Sequence, residues 1–112
     1  MTTRITYTVT ESKRWRWRFE DLRGQPINFG GAQLVAELSA DGACIAVPVQ
    51  AGPDSAAGLA EGDCALLLTP ETVTVPPRRW PYPIRLWVTW SNGDRQCLDD
   101  GTIMIRERCS NG

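Results

Sequence analysis

The residues able to do chemistry in this chain are few in kind. There is no histidine, which excludes a histidine general base, a histidine-based triad and the common histidine metal sites. Lys13, the only lysine, has no candidate partner for Schiff-base work. The carboxylates that carry most weight are Asp54, Asp63, Asp94, Asp99 and Asp100. Asp99-Asp100-Gly101 offers oxygens to a hard cation. A calcium loop spaces its ligands as Asp-x-Asp-x-Asp, and without that spacing these residues read as turn formers. Nothing points to a glycosidase pair of carboxylates, and Gly30-Gly31 alone is no phosphate-binding loop. Cys44, Cys64, Cys97 and Cys109 show no CxxC pair and no short ligand spacing, so no zinc site is expected. They read as reduced structural thiols. The first three lie in apolar or strand-like segments, where cysteine acts as a small hydrophobe, and Cys109 near the C-terminus is expected to be exposed. The expectation is a non-enzymatic protein with no metal and no cofactor.

What remains is arginine and tryptophan. Arg14-Trp15-Arg16-Trp17-Arg18-Phe19 alternates strictly between cation and large aromatic. A strand sends successive side chains to opposite faces, so Trp15, Trp17 and Phe19 are expected in a core and Arg14, Arg16 and Arg18 outside it. In Ile84-Arg85-Leu86-Trp87-Val88-Thr89-Trp90 the same rule puts Ile84, Leu86, Val88 and Trp90 on one face, and Arg85, Trp87 and Thr89 on the other. Arg14, Arg16, Arg18, Arg85 and Trp87 are therefore the interface candidates. Stacking of arginine on tryptophan within the chain is the alternative use of that outer face. Arg78-Arg79-Trp80-Pro81-Tyr82 is a second aromatic and cationic cluster. Trp80, Tyr82 and Trp87 are the candidate glycan contacts, since carbohydrate-binding modules display aromatic platforms.

The elements that must hold these residues are strands. Ile5–Thr10 alternates and is rich in β-branched residues. Asp21 to Pro26 is a polar turn, and Ile27 to Ala32 a short apolar crossing. Gln33–Ser39 and Ala43–Gln50 form a hairpin about Ala40-Asp41-Gly42, with Pro48 marking an edge or an end. Ala51 to Glu61 is a flexible surface loop. Cys64–Leu68 is a buried strand. Thr69-Pro70-Glu71-Thr72 opens one short helical turn near 70–74, with Thr69 as N-cap. The strand from Ile84 turns at Asn92-Gly93 and returns over Arg95–Leu98. Asp99-Asp100-Gly101 turns or kinks the chain before a last strand, Thr102–Arg106. About seven or eight short strands at this spacing predict an all-β, antiparallel, immunoglobulin-like β-sandwich. Residues 1–112 make one domain, with its core over about 5–106 and a frayed tail at 107–112.

The net charge is −1, which argues against a general nucleic-acid binder. No apolar run approaches the ~20 residues of a membrane span. The N-terminus lacks the apolar region of a signal peptide, so synthesis and folding in a cytoplasm are expected.

Two segments resemble small β-sandwich domains of tailed-phage virion proteins. Thr10 to Ala32 is similar to their opening strand and glycine–proline turn. Leu67-Leu68-Thr69-Pro70-Glu71-Thr72, then Tyr82, Ile84, Leu86, Val88 and Trp90, then Asn92-Gly93, then Asp100-Gly101-Thr102-Ile103-Met104-Ile105 is similar to their second half. The named relatives are the N-terminal domain of baseplate upper proteins and sandwich domains associated with tail fibres. The resemblance runs from Ile5 to Arg106 and lies in turn and strand positions, none of them catalytic. It implies a structural component of a virion, made in the host bacterial cytoplasm, that works through protein–protein contacts in a homo-oligomeric or symmetric assembly. Such domains often open a longer chain that continues into a coiled coil or fibre. This sequence shows neither, so the expectation is a small standalone component at the tail, baseplate, neck or capsid surface. The alternatives are a receptor-binding module for a host-surface glycan and a capsid-surface decoration protein. No nucleic-acid partner and no membrane insertion are expected.

Overall fold

A computed structural model describes residues 3–108. It contains seven strands: β1 (Thr3–Thr8), β2 (Lys13–Arg18), β3 (Gln33–Ala40), β4 (Ala43–Ala51), β5 (Asp63–Leu68), β6 (Tyr82–Thr89) and β7 (Arg95–Arg106). They form one sheet in the order β1-β7-β6-β3-β4-β5-β2, curled nearly into a barrel. The sheet is mixed, which corrects the antiparallel expectation: β1 lies parallel to β7, with Ile5 opposite Ile103 and Tyr7 opposite Ile105. A parallel neighbour needs a long crossover, and here almost the whole chain lies between the two strands. No local signal could reveal that pairing.

Two further expectations change. The helical turn at 70–74 is a single hydrogen-bonded turn, with no helix among the described residues. Thr69 does cap it: its Oγ1 accepts from the Thr72 N–H at 3.3 Å, and its carbonyl accepts from Val73 at 2.9 Å. The last two strands are one, since β7 runs unbroken through Asp99-Asp100-Gly101. The predicted kink is a β-bulge. Leu86 pairs with Asp99 and Trp87 with Cys97, so Leu98 is the extra residue. A bulge lets two adjacent residues turn the same way. Leu98 packs into an apolar cluster, and the neighbouring Asp99 reaches across the interior to β1 and β2.

Pro48 sits at neither edge. β4 pairs with β3 as far as Pro48 and with β5 from Val49 onward. The residue that cannot donate to a ladder stands at the handover between two partners. The β3–β4 turn is the expected Asp-Gly one, with both central residues left-handed (φ 49° at Asp41, 85° at Gly42), as a two-residue hairpin of this kind requires.

The core follows the alternation. Ile5, Tyr7, Leu38, Leu86, Ile103 and Ile105 are among its fully buried side chains. Val73 and Val75, from the segment between β5 and β6, join the same cluster, and Trp15 and Trp17 pack against it half-buried. A second cluster holds Phe29, Cys64 and Val88. There Phe29 stacks on Trp90 (centroids 5.8 Å apart) and meets Phe19 edge-on (6.0 Å).

The curl leaves a seam between the terminal strands β1 and β2, and side chains bridge it. Lys13 Nζ donates to the Thr6 carbonyl, and Glu11 accepts from the Thr8 N–H. The Tyr7 hydroxyl donates to the Glu11 carbonyl at 2.8 Å. The Trp17 indole N–H donates to Asp99 Oδ2 at 2.6 Å, and the Thr3 hydroxyl donates to the same oxygen. Side chains thus bridge the two sheet edges at these points. Gly101 permits the approach of β1: a Cβ there would run into the Thr3 carbonyl.

Trp17→Phe keeps the packing and removes the indole donor. It is expected to cost about 1–3 kcal/mol, the range for leaving a buried polar partner short of a bond. Urea unfolding monitored by circular dichroism reads this as a lower midpoint at unchanged slope.

Candidate functional site

The interface candidates divide between two faces. Arg85 and Trp87 lie on β6, while Arg14, Arg16 and Arg18 lie on β2, with β3, β4 and β5 between them in the sheet. On a curled sheet those outer faces point in different directions, so the five residues make no single surface.

The β2 arginines are largely committed within the chain. Arg16 donates to the carbonyls of Gly58 (3.2 Å) and Ala57 (3.4 Å). Arg18 donates to the Glu61 carbonyl at 3.3 Å and pairs with Asp63 at 3.1 Å. Both hold the loop between β4 and β5. That loop covers the outer side of β5, where Ala57 and Leu59 bury Ala65. The predicted surface loop is therefore a strap, braced at its start by Asp54, whose carboxylate accepts from the Ala56 and Ala57 N–H groups. Arg14 is exposed and makes no hydrogen bond or ion pair among the described residues.

On β6 the outer face carries a row of paired side chains. The Arg95 guanidinium lies 4.4 Å over the Trp87 ring and pairs with Glu37 at 2.9 Å. Arg85 pairs with Asp100 at 3.4 Å. The row crosses β7, β6 and β3, and Trp87 is half-buried within it. This is the arginine–tryptophan stacking weighed from the sequence. The arginine is Arg95, which the sequence did not single out. The signal was the Asn92-Gly93 hairpin: it sets Arg95 opposite Thr89, one diagonal step from Trp87.

The glycan candidates do not form a platform. Trp80 is 69% exposed, but Tyr82 is 1% exposed and belongs to the core. Its hydroxyl donates to the Pro76 carbonyl at 2.5 Å and Arg78 covers its ring at 3.6 Å. Trp87 faces outward under Arg95. Tyr82 and Trp87 stand at positions of opposite parity on one strand, so no rotation brings both to one ligand.

The carboxylates act as braces. Asp94 and Asn92 close the β6–β7 hairpin, and Asp54, Asp63 and Asp99 have the partners given above. Among the described residues no group of three or more His, Cys, Asp or Glu could hold a metal ion, and no helix is long and apolar enough to cross a membrane. Cys44, Cys64 and Cys97 are free thiols. Cys64 is buried as expected. Cys44 and Cys97 are exposed, a correction that follows from their outward positions on β4 and β7. Cys109 lies outside the described residues. No protein-family model and no curated protein matches the chain.

Burial, with Asp63 beside it, pushes the Cys64 thiol up to about 12 from its ordinary 9.0. Only the thiolate attacks alkylating reagents. A maleimide at pH 8 is expected to label Cys44 and Cys97 at once and Cys64 only after unfolding, read by mass spectrometry of digests. Asp63 moves the other way. Its bond from the Ala60 N–H, helped by Arg18, holds its carboxyl below the ordinary 3.8. A carboxyl lowered by folding contributes stability above its unfolded value and loses it as pH falls through the folded one. Acidification below pH 3.8 should therefore release the strap, seen as faster proteolysis by pepsin within residues 52–62. Arg18→Gln should bring that release to higher pH.

Proposed function

We propose that this chain is a non-enzymatic structural component of a tailed-phage virion, at the tail or baseplate, working through protein–protein contacts in an oligomeric particle. The observation that carries this reading is the outer face of β7-β6-β3. Trp87 is held there by Arg95, itself fixed by Glu37, with Arg85 and Asp100 beside it. Tryptophan and arginine are the residues most often decisive at protein interfaces, and side chains already held in place lose little freedom on binding. The resemblance supports the same reading. Its residues fall at turns, such as Asp21 to Gln25 and Thr69 to Thr72, and at core positions, such as Ile84, Leu86 and Ile103.

We also read the curled sheet as two packed layers of an immunoglobulin-like sandwich. One layer would be β1, β7, β6, β3 and the first part of β4; the other, the end of β4 with β5 and β2. The change of partner at Pro48 supports this division.

Arg85→Glu with Trp87→Ala alters only outward side chains, so the fold should persist. Particles assembled with the tagged variant are expected to carry at least tenfold less of it than of the parent chain, measured by immunoblot of purified particles. Equal incorporation would remove this face as the contact.

A further inference from the structure

Loop Glu20–Gln25 and the groove on the outer side of β1 and β7 lie toward opposite ends of the seam. Leu22 is 107% exposed, the most exposed large apolar side chain among the described residues. Glu20 and Asp21 precede it and Arg23 follows it; Glu20 lies 3.9 Å from Arg18, so Asp21 is the carboxylate free to meet a partner. The loop is set before any contact: the Asp21 N–H donates to the Gln25 carbonyl at 2.8 Å, and the Gly24 N–H to the Asp21 carbonyl at 3.0 Å. Asp21 Oδ1 takes the Arg23 and Gln25 N–H groups, which leaves its Oδ2 directed to no partner among the described residues.

The groove is built from two adjoining hollows of about 480 and 590 Å³ that share Met104 and Arg106. Pro77, Arg78, Arg79 and Glu107 line one, and Arg4 and Pro81 the other. Arg4, Arg79 and Arg106 have no side-chain hydrogen bond or ion pair among the described residues, unlike Arg16, Arg18, Arg78, Arg85 and Arg95. An apolar floor of methionine and proline beside Arg4, Arg79 and Arg106, with Glu107 at one margin, suits a leucine preceded by a carboxylate.

We propose that the groove receives the Glu20–Asp21–Leu22 tip of a second copy of this chain. A chain cannot fill its own groove. Lys13, at the start of β2, reaches Thr6, which is level with Met104, and Trp17 reaches Asp99 further down β7. The loop therefore lies beyond the Asp99 end, and Arg106 to Asp99 alone spans roughly 23 Å of strand. The contact joins unlike surfaces, so copies add head to tail and close into a ring or extend as a filament. It rests on the assembly reading above and names the partner and the surfaces. One loop in one groove buries less than the ~1,200 Å² of a stable pair, so the contact suits copies already concentrated in a particle.

Sedimentation velocity of the full chain tests this. The parent chain is expected to self-associate at concentrations up to about 1 mM, less so at high salt. Leu22→Asp breaks the tip, and Arg79→Glu with Arg106→Glu breaks the groove; each should weaken association at least tenfold. Mixed together, the two variants keep one intact tip and one intact groove between them and should form a dimer that grows no further. A monomeric parent, variants that associate like the parent, or a mixture that stays monomeric would each overturn the inference. Self-association untouched by both variants would refute this contact while still favouring assembly through another face, and incorporation of the Arg85 and Trp87 variant remains the separate test of the virion reading.

Discussion

The carboxyl group of Asp99 is the tie on which the closed shape depends. It sits on β7 and accepts from Thr3 on β1 and Trp17 on β2. Those are the two strands that end the sheet order. A seven-stranded sheet with free ends would expose two ladders of unpaired backbone groups and one wall of the core. Here one side-chain acceptor draws both ends together, and Lys13 and Glu11 cover the backbone further along. The bulge at Leu98 makes this possible. Without the extra residue, Asp99 and Leu98 would face opposite sides, and either the tie or the apolar contact would be lost.

The same economy runs through the polar surface. Arginine is the nearly exclusive cation of this chain, and five of its eleven arginines hold something within it. Arg16 and Arg18 fasten the strap over β5, Arg78 covers Tyr82, and Arg95 fixes Trp87. The planar, five-donor guanidinium can bind a carbonyl, a carboxylate or a ring face. Lysine could not replace it in most of these positions. Of the arginines left without such work among the described residues, Arg4, Arg79 and Arg106 gather around Met104, while Arg14, Arg23 and Arg108 stand elsewhere.

Much of the fold was legible in the sequence because its signals are local. Alternation placed the strands to within a residue or two, and Asp41-Gly42 and Asn92-Gly93 marked the hairpins. Parity along β6 assigned Leu86 inward and Trp87 outward. The same parity would have sent Tyr82 to the core, but its place in an aromatic, proline-bounded cluster drew it into the glycan set. The candidate site was legible in part. Trp87 was found because its parity was wrong for a core residue. Arg95 was missed although the Asn92-Gly93 hairpin sets its place, and Glu37 because the pairing of β3 with β6 joins strands far apart in the chain.

By itself the sequence determined an all-β domain with an aromatic inner face, a cationic outer face and no histidine chemistry. These are properties of residue type and period, and the period of a strand is independent of what lies beside it. Only the tertiary structure decided what each face meets. The parallel pairing of β1 with β7, the seam tied at Asp99 and the strap under Arg16 and Arg18 all join residues far apart in the chain. Such pairings depend on chain path and sheet order, and no local periodicity encodes them.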